Sequence, residues 1–330
     1  MMSRLKLWSL LAGLFTVSAL VSLLAGPQGV SISGLLDVLA GRDSLDADIL
    51  VQLRLPRLML GALVGAGLGM SGAMLQGYFR NPLADPGVIG VSACGGLGAV
   101  LALYFGVSGV VAMALPVAAI LGSAIGVALV LLLAGRSARA TTLVLAGVAV
   151  SATASALTAL VMNLAPNPWA LAEIAYWLMG SLIDASWHEV LFASPFILAG
   201  LVLAASTGRT LDALSLGEEE ARSLGQNGAY ARYVTVGATA LMVGAGVAVA
   251  GSIGFVGLVI PHVLRPLVGH QPSRLLWPCA LGGAILVMSA DLAVRFLSGP
   301  GMPLYLGVLT ALLGAPFFLW LVRKTREDLA

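Results

Sequence analysis

Charged and hydroxyl side chains are sparse in this chain, and three recurring groups define the chemistry open to it. The first is Arg54-Leu55-Pro56-Arg57. Two arginines three apart at a helix start lie on one face. They serve either as interfacial anchors that snorkel to headgroups or as a basic patch that receives carboxylates from an external partner. Arg295 is placed either to join them or to pair with Asp291 four residues before it. The second is Leu211–Asn227, reading LDALSLGEEEARSLGQN. Ser215 and Glu218 have capping-box spacing. Glu218, Glu219 and Glu220 suit the positive end of a helix, with Arg222 following. Ala221 and Leu224 share a face. The pattern predicts a short amphipathic helix, too short and too charged to enter lipid. It is either a solvated linker or a coupling helix shaped for a cleft on a cytosolic motor. The third is a hydroxyl stripe, Ser151, Ser155 and Thr158, on one face of an apolar helix. It either bonds back to its own helix or lines a pathway whose gate lies near Thr141 and Thr142.

Other chemistries are excluded or unsupported. The only lysines are Lys6 and Lys324, and no G-x-x-x-x-G-K-[ST] loop occurs, so the chain carries no Walker nucleotide site. Gly67-Leu68-Gly69-Met70-Ser71-Gly72 spells a dinucleotide fingerprint, but inside an apolar span with no strand before it. Gly61, Gly65 and Gly69 recur every four residues instead, as in a helix-packing stripe. Cys94 and Cys279 sit in separate apolar stretches and read as packing residues. His262 and His270, and Glu173, Asp184, His188 and Glu189, show no metal-ligand spacing. Asp291 is the best-placed intramembrane carboxylate. The expectation is a non-enzyme with no cofactor, no metal and no nucleic-acid partner.

The elements that must position these groups are membrane spans. Hydrophobic residues make up 59% of the 330 and charged residues 10%, too apolar for one aqueous core. The long continuous runs predict helices rather than a barrel. They fall at Leu5–Ala25, Leu58–Phe79, Val88–Phe105, Val110–Ala134, Leu143–Leu164, Val190–Ala205, Val234–Ala250, Gly254–Val268, Leu275–Val294 and Leu304–Val322. The expectation is an all-α polytopic membrane protein of about ten transmembrane helices, forming one transmembrane domain over residues 1–330. The first run is expected to be retained rather than cleaved as a signal. Pro82–Gly90 and Gly254–Pro261 each accompany a short span after a glycine-rich one, which points to two weakly related halves.

Basic residues separate cleanly between the loops. One side holds Arg4, Lys6, Arg80, Arg136, Arg139, Arg209, Arg222, Arg232, Arg265, Arg274, Arg323, Lys324 and Arg326. The other holds only Arg42, Arg54, Arg57 and Arg295, with an acidic group of Asp37, Asp43, Asp46 and Asp48. The positive-inside rule makes the first side cytoplasmic, with both termini there.

These stretches resemble the FecCD-type permeases, which import iron–siderophore complexes, haem and cobalamin. The matching segments are RLPR (Arg54–Arg57), LVGAGLGMSGAMLQ (Leu63–Gln76), RNPLADPGVIGVS (Arg80–Ser92), LAGVAV (Leu145–Val150), YWLMGS (Tyr176–Ser181), LGEEEARSLG (Leu216–Gly225), GSIGFVGLVIPHVLR (Gly251–Arg265) and LGAPFFLWL (Leu313–Leu321). The resemblance implies the type II ABC importer permease architecture in the bacterial inner membrane. The permease would pair with a second copy or close relative. Two cytosolic ABC ATPase subunits would sit below it, and a periplasmic substrate-binding protein would deliver ligand from above. It assigns binding-protein docking to Arg54, Arg57 and Arg295. ATPase coupling falls on the 211–227 region, with Leu216, Gly217, Glu218, Glu219, Ala221, Arg222, Leu224 and Gly225. The resemblance places the pathway along the fifth span with a gate at its cytoplasmic entry. Thr141, Ser151, Ser155 and Thr158 are assigned within that span, and only Thr141 falls at a matched gate position, where Ala140 replaces a neighbouring family threonine. The expected function is ATP-driven import of an iron chelate (ferric siderophore or haem) or of cobalamin by alternating access. The alternative is an ion-coupled secondary transporter. A non-transporting membrane scaffold has only the packing stripes in its favour.

Overall fold

The computed structural model describes residues 3–26, 30–111, 113–135, 140–299 and 303–327. Its helices run, in chain order, α1 (Arg4–Leu24), α2 (Ile32–Ala40), α3 (Leu45–Asp48), α4 (Leu55–Phe79), α5 (Val91–Tyr104), α6 (Ala114–Ala134), α7 (Ala140–Asn163), α8 (Pro168–Leu178), α9 (Trp187–Ser206), α10 (Gly208–Leu214), α11 (Glu218–Ser223), α12 (Gly228–Ala250), α13 (Val256–Leu264), α14 (Pro272–Leu297) and α15 (Leu306–Glu327). Seven helical stretches among these residues are long and apolar enough to cross a membrane. Three shorter apolar ones, Val91–Tyr104, Val256–Val268 and Leu306–Leu321, complete the ten expected spans. In hydrocarbon every backbone polar group must be paired internally, and helices achieve that within one segment.

The boundaries agree with the hydropathy reading to within a few residues, and their departures have local causes. The second span starts at Leu55 rather than Leu58, because Pro56 suits a first helical turn and a π-helical turn at Ile49–Arg54 leads into it. The connection after α7 holds a helix the hydropathy reading passed over, α8. Its signal was local: the Asn167 side chain accepts from the Ala170 N–H, with Pro168 at the first helical position. Arg136 and Arg139, counted in the charge asymmetry, lie outside the described residues.

We call the end holding Arg54, Arg57 and Arg295 the upper end, and the end holding Arg265 and Ser273 the lower. The two halves repeat one packing relation: α4 packs on α14 and α12 packs on α6, while the short spans α5 and α13 lean on α6 and α14. The α4–α14 contact is the most extensive. A Cβ on Gly65 would lie 2.3 Å from the Gly283 carbonyl oxygen, and one on Gly69 would lie 2.1 Å from that of Cys279. Lipid tails are as apolar as leucine, so helices associate in a membrane by van der Waals contact, which small residues bring within reach. Gly65 and Gly69 of the predicted stripe therefore face a helix more than two hundred residues away.

Burial sorts the helices into centre and rim. The face of α4 from Gly67 to Gln76 is continuously buried, and α12 is mostly so. In contrast α1, α6 and α7 expose large apolar side chains such as Val17, Leu132, Leu133 and Leu145. Surfaces this apolar are stable against lipid or another chain, not water.

Gly69→Ala is expected to lower the melting temperature of the detergent-purified protein, at a cost of about 2 kcal/mol from overpacking. Gly13→Ala on α1, where a Cβ meets nothing within 4 Å, should leave it unchanged. Differential scanning fluorimetry of the two variants reads the difference.

Candidate functional site

At the upper end the three arginines converge from two different helical segments. Asp291 on α14 takes Arg57 of α4 through Nε at 3.0 and 3.1 Å and Nη2 at 2.7 Å. Its Oδ2 also takes Arg295 at 3.0 and 2.7 Å. The i, i+4 pairing of Asp291 with Arg295 is therefore formed, and Arg57 joins it across the fold. Asp291 is nearly covered, its side chain 4% exposed, against 16% for Arg57 and 8% for Arg295. One carboxylate compensating two guanidinium groups leaves this part of the cluster with an excess positive charge.

The same arginines also finish α1. Its last turn carries no basic residue of its own, and helix C-termini leave carbonyls without intrahelical partners. Arg295 donates to the Ser22 carbonyl at 2.9 Å, and Arg54 donates to the Leu23 carbonyl at 2.6 Å. Cations at a helix C-terminus are also favoured by the dipole. So α1, α4 and α14 are tied together by one charged cluster.

Two upper cavities share part of their walls, and the first adjoins the cluster. One, of about 600 Å³, is lined by Arg54, Arg57, Arg295, Ser181 and Tyr305. The other, of about 980 Å³, presents Trp169, Tyr176, Trp177 and Tyr305 with Glu173 and Asp184. Tyr176 and Tyr305 stack, with ring centroids 5.6 Å apart and planes 12° from parallel.

At the lower end the 211–227 region differs from the single amphipathic helix expected of it. It divides into the end of α10 and α11, broken at Gly217, whose φ of +136° is a conformation L side chains rarely adopt. The Ser215–Glu218 capping box does not form: the N-cap of α11 is Gly217, and the Ser215 hydroxyl donates to the Asp212 carbonyl. A capping box forms instead at Ser186 and Glu189, at the start of α9. Ala221 is buried while Leu224 is 61% exposed, so the face they were expected to share is divided between core and surface. Leu216 is 66% exposed. Glu218, Glu219, Arg222 and Gly225 are exposed with them, giving a surface of two leucines among charges.

The hydroxyl stripe on α7 is divided as well. Thr158 bonds back to the Ala154 carbonyl at 2.9 Å. Ser151 reaches across to the Gly87 carbonyl at 3.4 Å, at the 3-10 turn Pro86–Ile89. Ser155 and Thr141 are exposed. Two other polar residues went unnoticed in the sequence. Gln76, 2% exposed near the end of α4, donates to the carbonyls of Ala84 and Gly257 at 3.3 Å each and accepts from Arg265. It joins the two repeated loop segments, Pro82–Gly90 and Gly254–Pro261, at one point. Asp212, on α10, accepts from Ser273 and Gln271 at the foot of α14.

Ten apolar helices in two related halves, with a charged cluster at one end and an exposed segment at the other, define a polytopic transport permease. The chain matches the FecCD transport family over residues 14–324 and belongs to it. It is 40% identical over 285 residues to the hemin transport system permease protein HmuU of Yersinia pestis, covering 85% of this chain and 84% of that one. It is also 40% identical over 314 residues to the vitamin B12 import system permease protein BtuC of Salmonella typhimurium, covering 94% and 93%. The structure superposes on that of a metal-chelate type ABC transporter in an inward-facing conformation, with a TM-score of 0.85 at 35% identity, over 97% of this chain and 99% of that one. PsaBC from Streptococcus pneumoniae shares the fold alone, with a TM-score of 0.53 at 17% identity. The chain is thus a membrane permease of the ABC importer class.

Asp291→Ala would leave two covered guanidinium groups without their shared counter-charge. Removing one partner of a buried ion pair costs about 3 kcal/mol or more. We expect a lower melting temperature than in wild type, with Arg42→Ala on the exposed upper loop as the neutral comparison.

Proposed function

We propose that this permease carries a metal chelate (a ferric siderophore or haem) or cobalamin from periplasm to cytoplasm in an ATP-driven importer. Two copies, or this chain and a close relative, form the pathway. A binding protein docks at the upper end, and two separate ATPase subunits hydrolyse ATP at the lower end. Both termini lie in the cytoplasm of the bacterial inner membrane, and residues 1–330 act as one transmembrane domain. The observation that carries this reading is the polarity of the fold: an arginine-lined cavity at the upper end and an exposed leucine-and-charge segment at the lower, joined by one helical body. The hemin, vitamin B12 and metal-chelate relatives support the ligand class.

The upper arginines act as docking groups by exchange. Arg57 and Arg295 are already occupied by Asp291. A carboxylate on the binding protein therefore competes with Asp291 as well as adding to the cluster's charge. Such charge pairs steer encounter and set register. At the lower end Leu216 and Leu224 enter an ATPase cleft, rimmed by Glu218, Glu219 and Arg222, with Gly217, Ala221 and Gly225 shaping the segment. Thr141, Ser151, Ser155 and Thr158 lie along the pathway, which ATP-driven movement opens alternately to the two sides. The ion-coupled alternative needs an intramembrane carboxylate relay. Asp291, its best carboxylate, is taken up by two guanidinium groups, which weighs against it.

Uptake by proteoliposomes holding the permease with its cognate ATPase and binding protein tests the reading. Ferric siderophore, haem and cobalamin are each offered with ATP on the cytosolic face. One of them should accumulate only when ATP and binding protein are both present. Uptake driven by a proton gradient without ATP would overturn the importer in favour of the ion-coupled transporter. Arg57→Glu and Glu219→Lys, at normal membrane levels, should each cut the rate by about tenfold or more, since repelled charge pairs at an interface cost several kcal/mol. Undiminished uptake in both variants would refute these docking and coupling assignments.

A further inference from the structure

The foot of α14 is capped by another element. Its own N-cap residue, Gln271, makes no side-chain cap, although the first N–H groups of a helix need partners. Asp212 on α10 supplies one. Its Oδ1 accepts the Ser273 N–H at 2.9 Å, and its Oδ2 accepts the Ser273 hydroxyl at 2.6 Å and the Gln271 amide at 2.8 Å. An ionised carboxylate at a helix N-terminus gains from both the hydrogen bonds and the dipole. The cap therefore comes from the segment that carries the exposed leucines. That segment is closed on itself by the Thr210 hydroxyl donating to Gln226 at 2.7 Å, and by the Gln226 N–H donating to the Ala221 carbonyl.

From this foot α14 runs unbroken to the upper cluster. Ser273 and Asp291 lie about 27 Å apart along the axis, from the rise per residue of an α-helix. Pro278 removes one N–H from the ladder near the foot, but α4 splints the position, with Gly69 against the Cys279 carbonyl in the next residue. Gly65 and Gly283 lock the same two helices higher up. At the top Arg57 of α4 is held by Asp291 of α14 at 2.7 Å. The α4–α14 pair is thus pinned at its middle and its top, and its foot is held to α10 by the packing of Gly208 and Leu211 and by one carboxylate, Asp212.

We infer that Asp212 is a positioning residue that couples the lower segment to the α4–α14 pair, so that movement at one end of the permease is carried to the arginine cluster at the other. This rests on the importer reading above, with the ATPase at the lower end. Coupling between two ends of one body is reciprocal. Docking at the upper cluster then alters the segment's fit to the ATPase through the same joint. Asp212, half-buried behind the exposed segment, holds a mechanical link between that segment and α14.

The test uses the whole complex of permease, cognate ATPase and binding protein in proteoliposomes. Its readout is the ratio of ATP hydrolysis with ligand-loaded binding protein to hydrolysis without it. Asp212→Ala should lower that ratio by about fivefold or more, in a complex that still co-purifies. Asp212→Asn, which keeps an oxygen to accept the Ser273 N–H, should recover part of it. Ser273→Ala should weaken the ratio, and adding it to Asp212→Ala should cause no further loss, as expected of partners in one link. An unchanged ratio in Asp212→Ala overturns the inference, and so does additive loss in the double variant. Should Asp212→Ala not assemble, Asp212→Asn and Ser273→Ala are read by the same ratio, and an unchanged value in both overturns it. A wild-type complex showing no ATP-dependent uptake would instead overturn the importer reading itself.

Discussion

The close approach of α4 and α14 is the constraint on which the rest of the structure depends. Two helices in lipid gain nothing from hiding apolar surface from each other, because their surroundings are equally apolar. What holds them is contact between backbones, and that requires residues without side chains at the crossing. Gly65 and Gly69 meet the Gly283 and Cys279 carbonyls at distances no Cβ could share. This contact fixes the height of α14 against α4, so Asp291 arrives opposite Arg57. It likewise places the lower end of α4, with Gln76, between the two repeated loop segments.

Charged clusters stand at both ends, and at each end they are also structural. At the top one carboxylate orders two arginines, and two arginines complete the open C-terminus of α1. At the bottom a carboxylate from α10 completes the open N-terminus of α14. Both are answers to one problem: a helix end leaves polar groups unpaired, and a mostly apolar protein has few side chains to spare for them. The same few side chains therefore serve packing and, in the reading proposed above, partner contact. In that reading, binding at such a place disturbs the packing, and contact at a surface becomes movement inside.

The spans were legible because lipid imposes a length and an apolarity that any window along the chain reveals. The side-to-side distribution of Arg and Lys was legible because it is a count over loops. The glycine stripe at Gly61, Gly65 and Gly69 was visible as a spacing, but its partner was not, since nothing local to Gly65 points to Gly283. Pairing of Asp291 with Arg295 was open on spacing. Pairing of Asp291 with Arg57 lies 234 positions apart and became visible only when α4 and α14 were side by side. In the 211–227 region the acids and the arginine were legible as charges too many for lipid, while the exposure of Leu216 and Leu224, the break at Gly217 and the absent capping box were not. A three-residue spacing permits a capping box, and the backbone conformation before it decides whether one forms.

The sequence by itself determined the helical membrane class, the ten apolar segments and the FecCD resemblance, because each is written in composition, period or short contiguous motifs. Only the tertiary structure decided which polar group meets which: Asp291 between Arg57 and Arg295, Gln76 between two loops, Asp212 beneath α14. The physical reason is range. Solvent preference and helix periodicity act on neighbours along the chain. A hydrogen bond acts over about 3 Å in space, and only the folded crossing of helices brings distant residues that close.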